Sequence, residues 1–445
     1  MSVPFGPFVL TWDEITTQIR STFEGFTDPR RGKNTRYPLV DAGLSAFSVF
    51  FMQSPSFWEY QRRLEQAHGR SNAQTLFGVH QIPSDHQIRH RLDATPASQV
   101  TPLFASLFQA VEQAGVIERY RSVNQTLLLA CDGTAYFSSQ QLHCPPCSTH
   151  HPANGKVTYC HPALTPVLVK PGVDTVIPLA PEFIQPQDGA EKQDCELNAA
   201  KRWLVAWGDA YRSLGVTLLG DDRYCHEPFC REALEHGFGF ILVCQPASHA
   251  LVYEWVEFLD RSGGVHTVVR RRWTGQRREV DTYRYAASIP LRDGDEALLV
   301  NWCELTTTDE SGQVLYHNAF ATSLALDEHR VVEVVAAGRS RWKIENENNN
   351  TLKTKGYHFE HNYGHGQQYW SSVLASLILL ALLVHTLLEW MDDKYQLLRQ
   401  KLPSRKRLFS DIRTLTSYLC FASWEALMTF MLQSFEPAPP KPKTG

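Results

Sequence analysis

The chain has neither a long uninterrupted hydrophobic run nor a strong excess of charge of one sign. Its most apolar stretch, residues 373–384, reads VLASLILLALLV, and these 12 residues are too few to span a bilayer, which takes about 20. His385 and Glu389 follow closely, so we predict a buried helix and no membrane association. The formal net charge of −4 excludes a uniformly basic, DNA-coating protein, so any affinity for nucleic acid must come from local patches.

The N-terminus also lacks the features of a secretion signal. The segment MSVPFGPFVLTWDE has no basic region and no long apolar region. In the absence of such a signal, the 10 cysteines favour reduced thiols or a metal site over a disulfide scaffold. We therefore expect a cytoplasmic protein, associated with the nucleoid of a bacterial cell.

The spacing of apolar residues changes along the chain. Apolar residues at three- and four-residue intervals predict helices up to about residue 120, whereas TLLLACDGTAYF (126–137) predicts a strand that ends in a turn. Two further strands, a helix, the strand GVTLLGDD, another helix and the strand FGFILVCQP follow. The first three strands can pair as a meander, and the last two follow helices and should pair parallel.

A stretch rich in Val, Thr, Tyr and Trp interrupts this pattern and predicts an antiparallel β insert. The fold class that we predict is α/β, with a ribonuclease-H-like core interrupted by the insert and flanked by helical regions. The predicted segments are a helical N-terminal DNA-binding region (1–120), the first part of the core (121–244), the β insert (245–325), the second part of the core with a helix carrying an acid (326–365), a C-terminal helical region (366–435) and a disordered tail (436–445).

Three acids stand where a metal-dependent phosphodiester enzyme needs them. Asp132 ends the first strand, Asp221 and Asp222 end the fourth, and Glu345 lies early in the late helix. In a ribonuclease-H-like sheet the first and fourth strands are neighbours, so their carboxyl ends lie side by side. Two Mg²⁺ ions about 3.5–4 Å apart serve an in-line displacement at phosphorus, and Mg²⁺ prefers oxygen ligands. Each acid taken alone is better interpreted as a cap or turn residue, but their joint order along the chain favours catalysis.

The segment SRWKIENENNNTLKTKG resembles the Tyr-Arg-Glu-Lys signature region of the DDE insertion-sequence transposases. Arg341 stands four residues before Glu345, as the family's arginine does before its glutamate. The family's tyrosine position falls on Gly338, so that element is missing. The family's lysine is shifted here to Lys353 or Lys355, and the resemblance implies that Arg341 and these lysines contact DNA.

The segments LACDGT and LLGDDRY also resemble the first and second acid motifs of this family. The family places a tyrosine three residues after its second aspartate, so Tyr224 selects Asp221 over the alternative, Asp222. The resemblance covers roughly residues 80–365. It implies cut-and-paste transposition with two Mg²⁺ or Mn²⁺ ions, double-stranded DNA with terminal inverted repeats and target DNA as substrates, and a homodimer on paired ends.

Two other functions fit the same residues. One is a stand-alone metal-dependent DNA nuclease of the same fold, and the other is an inactive DNA-binding derivative of a transposase. Strand transfer separates a transposase from a nuclease, because only the transposase joins a cut 3′ end to a new target.

A second group of residues suits a metal ion of another kind. The segment 143–161, HCPPCSTHHPANGKVTYCH, contains Cys144 and Cys147 at the C-x₂-C spacing of a zinc knuckle. Such a hairpin has little core of its own, so one structural Zn²⁺ would hold it rigid. A metal-free, mobile loop is the alternative. Resemblance to transposases with similar Cys/His elements implies the ligands Cys144, Cys147, His161 and Cys195.

The segment 357–370 holds three more histidines, His358, His361 and His365. They suit either a second metal site or a helix end that packs on the core. We favour packing.

The segment 268–278, VVRRRWTGQRR, combines one tryptophan with five arginines. This composition suits phosphate contact together with base stacking. Related transposases use an aromatic residue of the insert to hold an extruded base, so Trp273 is the candidate for that role. A solvated basic hairpin with the tryptophan packed inward is the alternative. The candidate DNA-binding arginines are Arg270, Arg271, Arg272, Arg277 and Arg278.

Overall fold

The computed structural model describes residues 10–28, 37–151, 155–186 and 194–435. The predicted C-terminal tail lies outside these residues. The chain forms two compact units, and each consists of segments that are not consecutive. Unit 1 comprises Met1–Val116, Tyr136–His161 and Asn350–Gly445, and unit 2 comprises Ile117–Ala135 and Pro162–Asn349. The linear segmentation predicted above does not contain this interleaving.

Helices account for most of unit 1, and those of unit 2 are interspersed with its strands. The helices are α1 (Trp12–Glu24), α2 (Leu39–Phe51), α3 (Phe57–Glu65), α4 (Ala67–Phe77), α5 (Asp85–Leu92), α6 (Pro102–Gln113), α7 (Glu196–Arg212), α8 (Glu227–Glu235), α9 (Ala250–Arg261), α10 (Arg330–Arg339), α11 (Asn350–Thr354), α12 (Trp370–Met391), α13 (Asp393–Lys401), α14 (Arg405–Tyr418) and α15 (Trp424–Gln433). Short 3₁₀ turns include Asp222–Tyr224 and Ser340–Trp342, and Ile344–Asn349 is π-helical.

The strands belong to a large mixed sheet and a smaller one. They are β1 (Leu127–Ala130), β2 (Gly133–Ser139), β3 (Ser148–His150), β4 (Thr158–Leu164), β5 (Val167–Lys170), β6 (Val173–Pro178), β7 (Glu182–Phe183), β8 (Val216–Gly220), β9 (Gly239–Val243), β10 (His266–Trp273), β11 (Arg278–Pro290), β12 (Leu299–Asp309) and β13 (Val314–Thr322). The smaller sheet has the order β2-β4-β3, with β7 paired to β4.

Unit 1 is built around α12, the helix that contains the apolar run. This helix has 22 residues and is, by length and composition, apolar enough to cross a membrane, but 94% of its most apolar window is buried inside the protein. It packs against the apolar helix α2 of the same unit. Its hydroxyls at Ser372 and Ser376 donate to backbone carbonyls within the helix, 2.9 Å away in each case. The helix is buried, as predicted, although it is longer than the 12-residue run.

Unit 2 contains the nine-stranded sheet, with the order β10-β11-β12-β13-β9-β8-β1-β5-β6. Strand β1 pairs parallel with β8, and β8 pairs parallel with β9. Strands β5 and β6 follow β1 as antiparallel neighbours, which matches the predicted meander. The insert strands extend the sheet beyond β9, because β13 pairs with β9. The mixed α/β class is therefore confirmed.

Two local features differ from the sequence-based prediction. The predicted strand 126–137 is divided, because β1 ends at Ala130 and β2 begins at Gly133. Between them the Cys131 amide still donates to the Leu219 carbonyl at 2.9 Å. The insert also begins with a helix, α9, whose buried residues Val252 and Val256 have the i, i+4 spacing of one helical face.

Candidate functional site

The parallel pairing of β1 with β8 aligns two of the predicted acids. Leu127 pairs with Val216 and Ala130 with Leu219, a constant offset of 89 residues (216 − 127 and 219 − 130). Continued by two residues, the same offset matches Asp132 with Asp221. Both acids thus follow the carboxyl ends of adjacent buried strands, as the sequence predicts.

Asp221 and Asp222 have different surroundings. Asp222 accepts hydrogen bonds from the Gln245 amide at 2.7 Å and from the Ser248 hydroxyl at 2.5 Å, and it lies 3.2 Å from a ring nitrogen of His249. Among the described residues, Asp221 accepts one hydrogen bond, from the Arg223 amide at 2.9 Å. The geometry therefore favours Asp221 as the acid that faces Asp132, with Asp222 holding the loop before α9.

Glu345 lies in the π-helical turn and is paired with a neighbouring arginine. The Arg341 guanidinium is 2.6 Å from the Glu345 carboxylate, and the glutamate side chain is half exposed. On the same turn Ile344, Asn348 and Asn349 are buried, which anchors the turn in the unit. π-Helical turns occur frequently at functional sites because they change the direction of side chains within a helix.

The structure adds a fourth acid that was not among the predicted catalytic residues. Glu196 is the first residue of α7, and its carboxylate accepts a hydrogen bond of 2.6 Å from the Tyr224 hydroxyl. A Cβ atom at position 133 would lie 2.7 Å from the other carboxylate oxygen, so Gly133 is needed for this close approach. In the sequence Glu196 directly follows Cys195, the residue to which the resemblance gives a zinc-binding role.

The four acids interact around Asp132. The pKa of Asp132 is raised to about 7, first by burial of the carboxyl group and next by repulsion from Glu196. Arg341 lowers this pKa, while Glu345 and Asp221 raise it. The pKa shift shows that the predicted triad and Glu196 share one electrostatic environment, in which a cation would relieve the repulsion.

Three of the four predicted zinc ligands meet in unit 1, together with a different fourth residue. Cys144, Cys147, His161 and His365 each place a ligand atom within 4.8 Å of the others. The hydrogen bond with Cys144 lowers the pKa of the Cys147 thiol well below its ordinary range. The group can hold a metal ion, and His365 occupies the place in the quartet that the resemblance gave to Cys195.

Cys195 is exposed and caps α7 without a side-chain hydrogen bond. The acid beside it, Asp194, accepts hydrogen bonds from Arg202 through both carboxylate oxygens, at 3.0 and 2.9 Å.

Within the described residues, one other group brings three potential ligands within 4.8 Å. It consists of Cys225, Cys244 and His249, all of them buried. The His249 ring is already 2.5 Å from the Cys225 carbonyl and 3.0 Å from the Ser248 hydroxyl. This group is therefore explained by hydrogen bonding in the core. Among the described residues, no three of the acids around Asp132 place their ligand atoms within 4.8 Å of one another.

The arginines of the insert lie on β10, β11 and the turn between them, where β10 is the edge strand of the sheet. Arg272 contacts the buried carboxylates of Glu279 and Asp281, at 2.6 and 2.8 Å. Arg277 also contacts Glu279, at 2.9 Å. Trp273 is 64% exposed, so it does not pack inward.

The remaining predicted DNA contacts differ in their partners. Arg278 lies 3.8 Å from Glu310, and Arg270 and Arg271 form no ion pair within the described part of the chain. In unit 1, Lys353 is 2.8 Å from Glu360, and the exposed Lys355 accepts a hydrogen bond at its backbone carbonyl from Gln53. Arg270, Arg271 and Lys355 are thus the predicted cations for which no ion pair is found among the described residues.

Comparison with known proteins gives no match to a family model and no matching curated protein. The assignment of function therefore rests on the arrangement of these side chains.

The raised pKa of Asp132 predicts a pH-dependent stability of the metal-free protein. The folded state binds the proton more tightly than the unfolded state, so stability falls as pH rises from the ordinary value of 3.8 to about 7. About three pKa units correspond to at most about 4 kcal/mol. In EDTA, we expect the stability of Asp132→Asn relative to wild type to increase between about pH 4 and pH 8 and then level off.

Urea unfolding at a series of pH values measures this difference. Asp209→Asn is the matched control, because the Asp209 side chain is 88% exposed. A stability difference between Asp132→Asn and wild type that does not change with pH would show that Asp132 is not in a repulsive cluster.

Proposed function

We propose that the chain is a DNA transposase of the DDE type, which cleaves at transposon ends and joins them to target DNA. The observation that carries this proposal is the gathering of Asp221, Glu345 and Glu196 around Asp132, beyond the carboxyl ends of two parallel strands. The site of an open α/β sheet commonly lies at such strand ends.

The order of the central strands supports a ribonuclease-H-like core. Across the sheet these strands have the order β6-β5-β1-β8-β9. Strand β5 is antiparallel to both of its neighbours, and β1, β8 and β9 are parallel to one another. This is the arrangement that the resemblance implies, and the helical turn with Glu345 packs on β5 and β6. The insert between the second acid and Glu345 lengthens the same sheet.

The donor set fits hard divalent cations. Asp132, Asp221 and Glu345 supply only oxygen, which suits two Mg²⁺ or Mn²⁺ ions, and mutual repulsion would be relieved by binding them. When bound, such ions supply activation of the attacking oxygen and charge stabilisation of the leaving oxygen. Arg341 holds Glu345 in place through the 2.6 Å ion pair, and Tyr224 orients Glu196.

A stand-alone nuclease of the same fold remains the second candidate, since it would use the same acids. An inactive DNA-binding derivative is less well supported, because the acids cluster despite the electrostatic cost of doing so. The homodimer on paired ends follows from the resemblance, and the cytoplasmic, nucleoid-associated location is a further part of the transposase proposal.

The first functional prediction concerns the triad. Asp132→Ala, Asp221→Ala and Glu345→Ala should each lower the rate of DNA cleavage at least about a hundredfold, because metal ions contribute several kcal/mol to the transition state. DNA binding should change little. The assay uses a duplex taken from the DNA that flanks the gene, with Mg²⁺ or Mn²⁺.

Asp222→Ala is the matched control and should retain the chemistry. Wild-type cleavage by Glu345→Ala would contradict the mechanism. Cleavage without joining to a target plasmid would replace the transposase with the nuclease.

A second prediction concerns Glu196. If its carboxylate helps to hold the ions, Glu196→Gln should raise the Mg²⁺ concentration needed for half-maximal cleavage about tenfold. Tyr224→Phe should shift the same value by less, since it removes only the hydrogen bond that orients the carboxylate. Glu235→Gln, an exposed change on the same unit, is the control. Unchanged metal dependence in Glu196→Gln would exclude this role.

A third prediction separates the arginines that bind DNA from those that hold the hairpin. Arg270→Ala and Arg271→Ala should each reduce the slope of log affinity against log salt by about one, because each free arginine releases a condensed counterion. Arg272→Ala should leave the slope nearly unchanged, since its charge is already compensated by Glu279 and Asp281.

Trp273→Ala changes an uncharged residue, so it should keep the wild-type slope of log affinity against log salt. It should instead lose base stacking worth about 1–3 kcal/mol at a step after binding. Arg261→Ala, an exposed arginine on α9, serves as the charge control. Wild-type slopes for both Arg270→Ala and Arg271→Ala would mean that β10 does not touch the phosphate backbone.

A further inference from the structure

Three segments of unit 1 converge on one set of sulfur and nitrogen atoms. Cys144 and Cys147 flank a Pro-Pro turn just before β3, His161 lies in β4, and His365 lies in the loop before α12. The structure thus brings one histidine of the segment 357–370 to the hairpin that contains the cysteines.

Five of the six distances within the set lie within about 0.4 Å of the edges of a tetrahedron around zinc, and the sixth, from Cys144 to His365, is within 4.8 Å. Zn²⁺ at about 2.3 Å from sulfur and about 2.0–2.1 Å from nitrogen requires edges of about 3.8 Å between sulfurs, about 3.5 Å between sulfur and nitrogen, and about 3.3 Å between nitrogens. The Cys144 and Cys147 sulfurs are 3.5 Å apart, and His161 Nε2 is 3.2 and 3.4 Å from them. His365 Nδ1 is 3.3 Å from His161 Nε2 and 3.9 Å from the Cys147 sulfur.

The opposite nitrogens of the two imidazoles have no hydrogen-bond partner within the part of the chain that the structure describes. His161 Nδ1 and His365 Nε2 are buried without a hydrogen bond among the described residues. Aromatic packing holds the rings instead: Tyr136 stacks on His161 at 5.7 Å, and Phe137 meets His365 edge-on at 4.1 Å. Among the described residues, the hydrogen-bond partners of each ring are therefore atoms of the cluster itself.

We propose that Cys144, Cys147, His161 and His365 bind one Zn²⁺ in a closed, structural site. Four protein ligands leave no position for water or substrate, and a tetrahedral set of two sulfurs and two nitrogens selects zinc over Mg²⁺. The ion ties the Cys/His hairpin to the segment before α12, within unit 1. This proposal does not depend on the transposase assignment.

The choice of His365 as the fourth ligand has a chemical consequence. A site with Cys195 would have three thiolates and one imidazole, whereas the site with His365 has two of each. Because thiolates and imidazoles give different charge-transfer bands to bound Co²⁺, the two quartets can be distinguished by spectroscopy as well as by mutation.

The test uses the full chain, purified without chelators, and metal analysis of wild type and variants. Wild type should contain about one zinc per chain, and Cys147→Ser and His365→Gln should each lose most of it. Cys195→Ser and Cys160→Ser are matched controls that should keep the zinc. One zinc per chain in His365→Gln together with its loss in Cys195→Ser would overturn the proposed ligand set.

A second measurement covers variants that fail to fold. Wild-type protein stripped of metal and titrated with Co²⁺ should give the intense visible bands of tetrahedral cobalt, with charge transfer from two thiolates. A zinc chelator should lower the melting temperature of wild type, because zinc binds the folded state. Weak octahedral cobalt bands and a melting temperature that the chelator does not change would overturn the proposal.

Discussion

The parallel pairing of β1 with β8 is the constraint on which the rest of unit 2 depends. Both strands are buried along their whole length, so apolar burial fixes their register, and a shift by one residue would turn buried side chains to the opposite face. The same register sets Asp132 beside Asp221. The acids are thus positioned by the packing of Leu and Val side chains that precede them in the strands, while their own charges oppose the arrangement.

The opposition between packing and charge explains several neighbouring features. Burial and three nearby carboxylates raise the pKa of Asp132, and Arg341 partly compensates for that repulsion. The Tyr224 hydroxyl donates a hydrogen bond to the Glu196 carboxylate and fixes its orientation at a partly buried position. Carboxylates that repel one another without cations, and whose repulsion bound cations would relieve, are expected in a metal-dependent phosphodiester enzyme.

Much of the central sheet could be predicted from the sequence, because its strands are short apolar runs joined by helices or tight turns. The apolar runs before Asp132 and Asp221 locate β1 and β8, and the intervening helices require parallel pairing. Contacts between distant segments leave no periodicity, which is why Glu196 was not recognised as an acid of the site. For the same reason His365, 204 residues from His161, could not be assigned to the Cys/His hairpin.

The arginines of the insert have two physical explanations, contact with DNA phosphates and protection of the edge of the sheet. Edge protection involves no DNA, because cations on an edge strand discourage its pairing with another sheet. Arg272 and Arg277 fit that explanation or a simpler one, because they neutralise carboxylates that are buried under the hairpin. Arg270 and Arg271 fit it as well, since they have no carboxylate partner within the described residues and stand on an edge strand that is exposed along nearly its whole length. Trp273 ends this strand with most of its ring in solvent, and an exposed indole would promote the association that edge charges prevent. Edge protection alone therefore does not explain the exposed tryptophan, whereas the DNA contact proposed for this strand would use both the arginines and the indole.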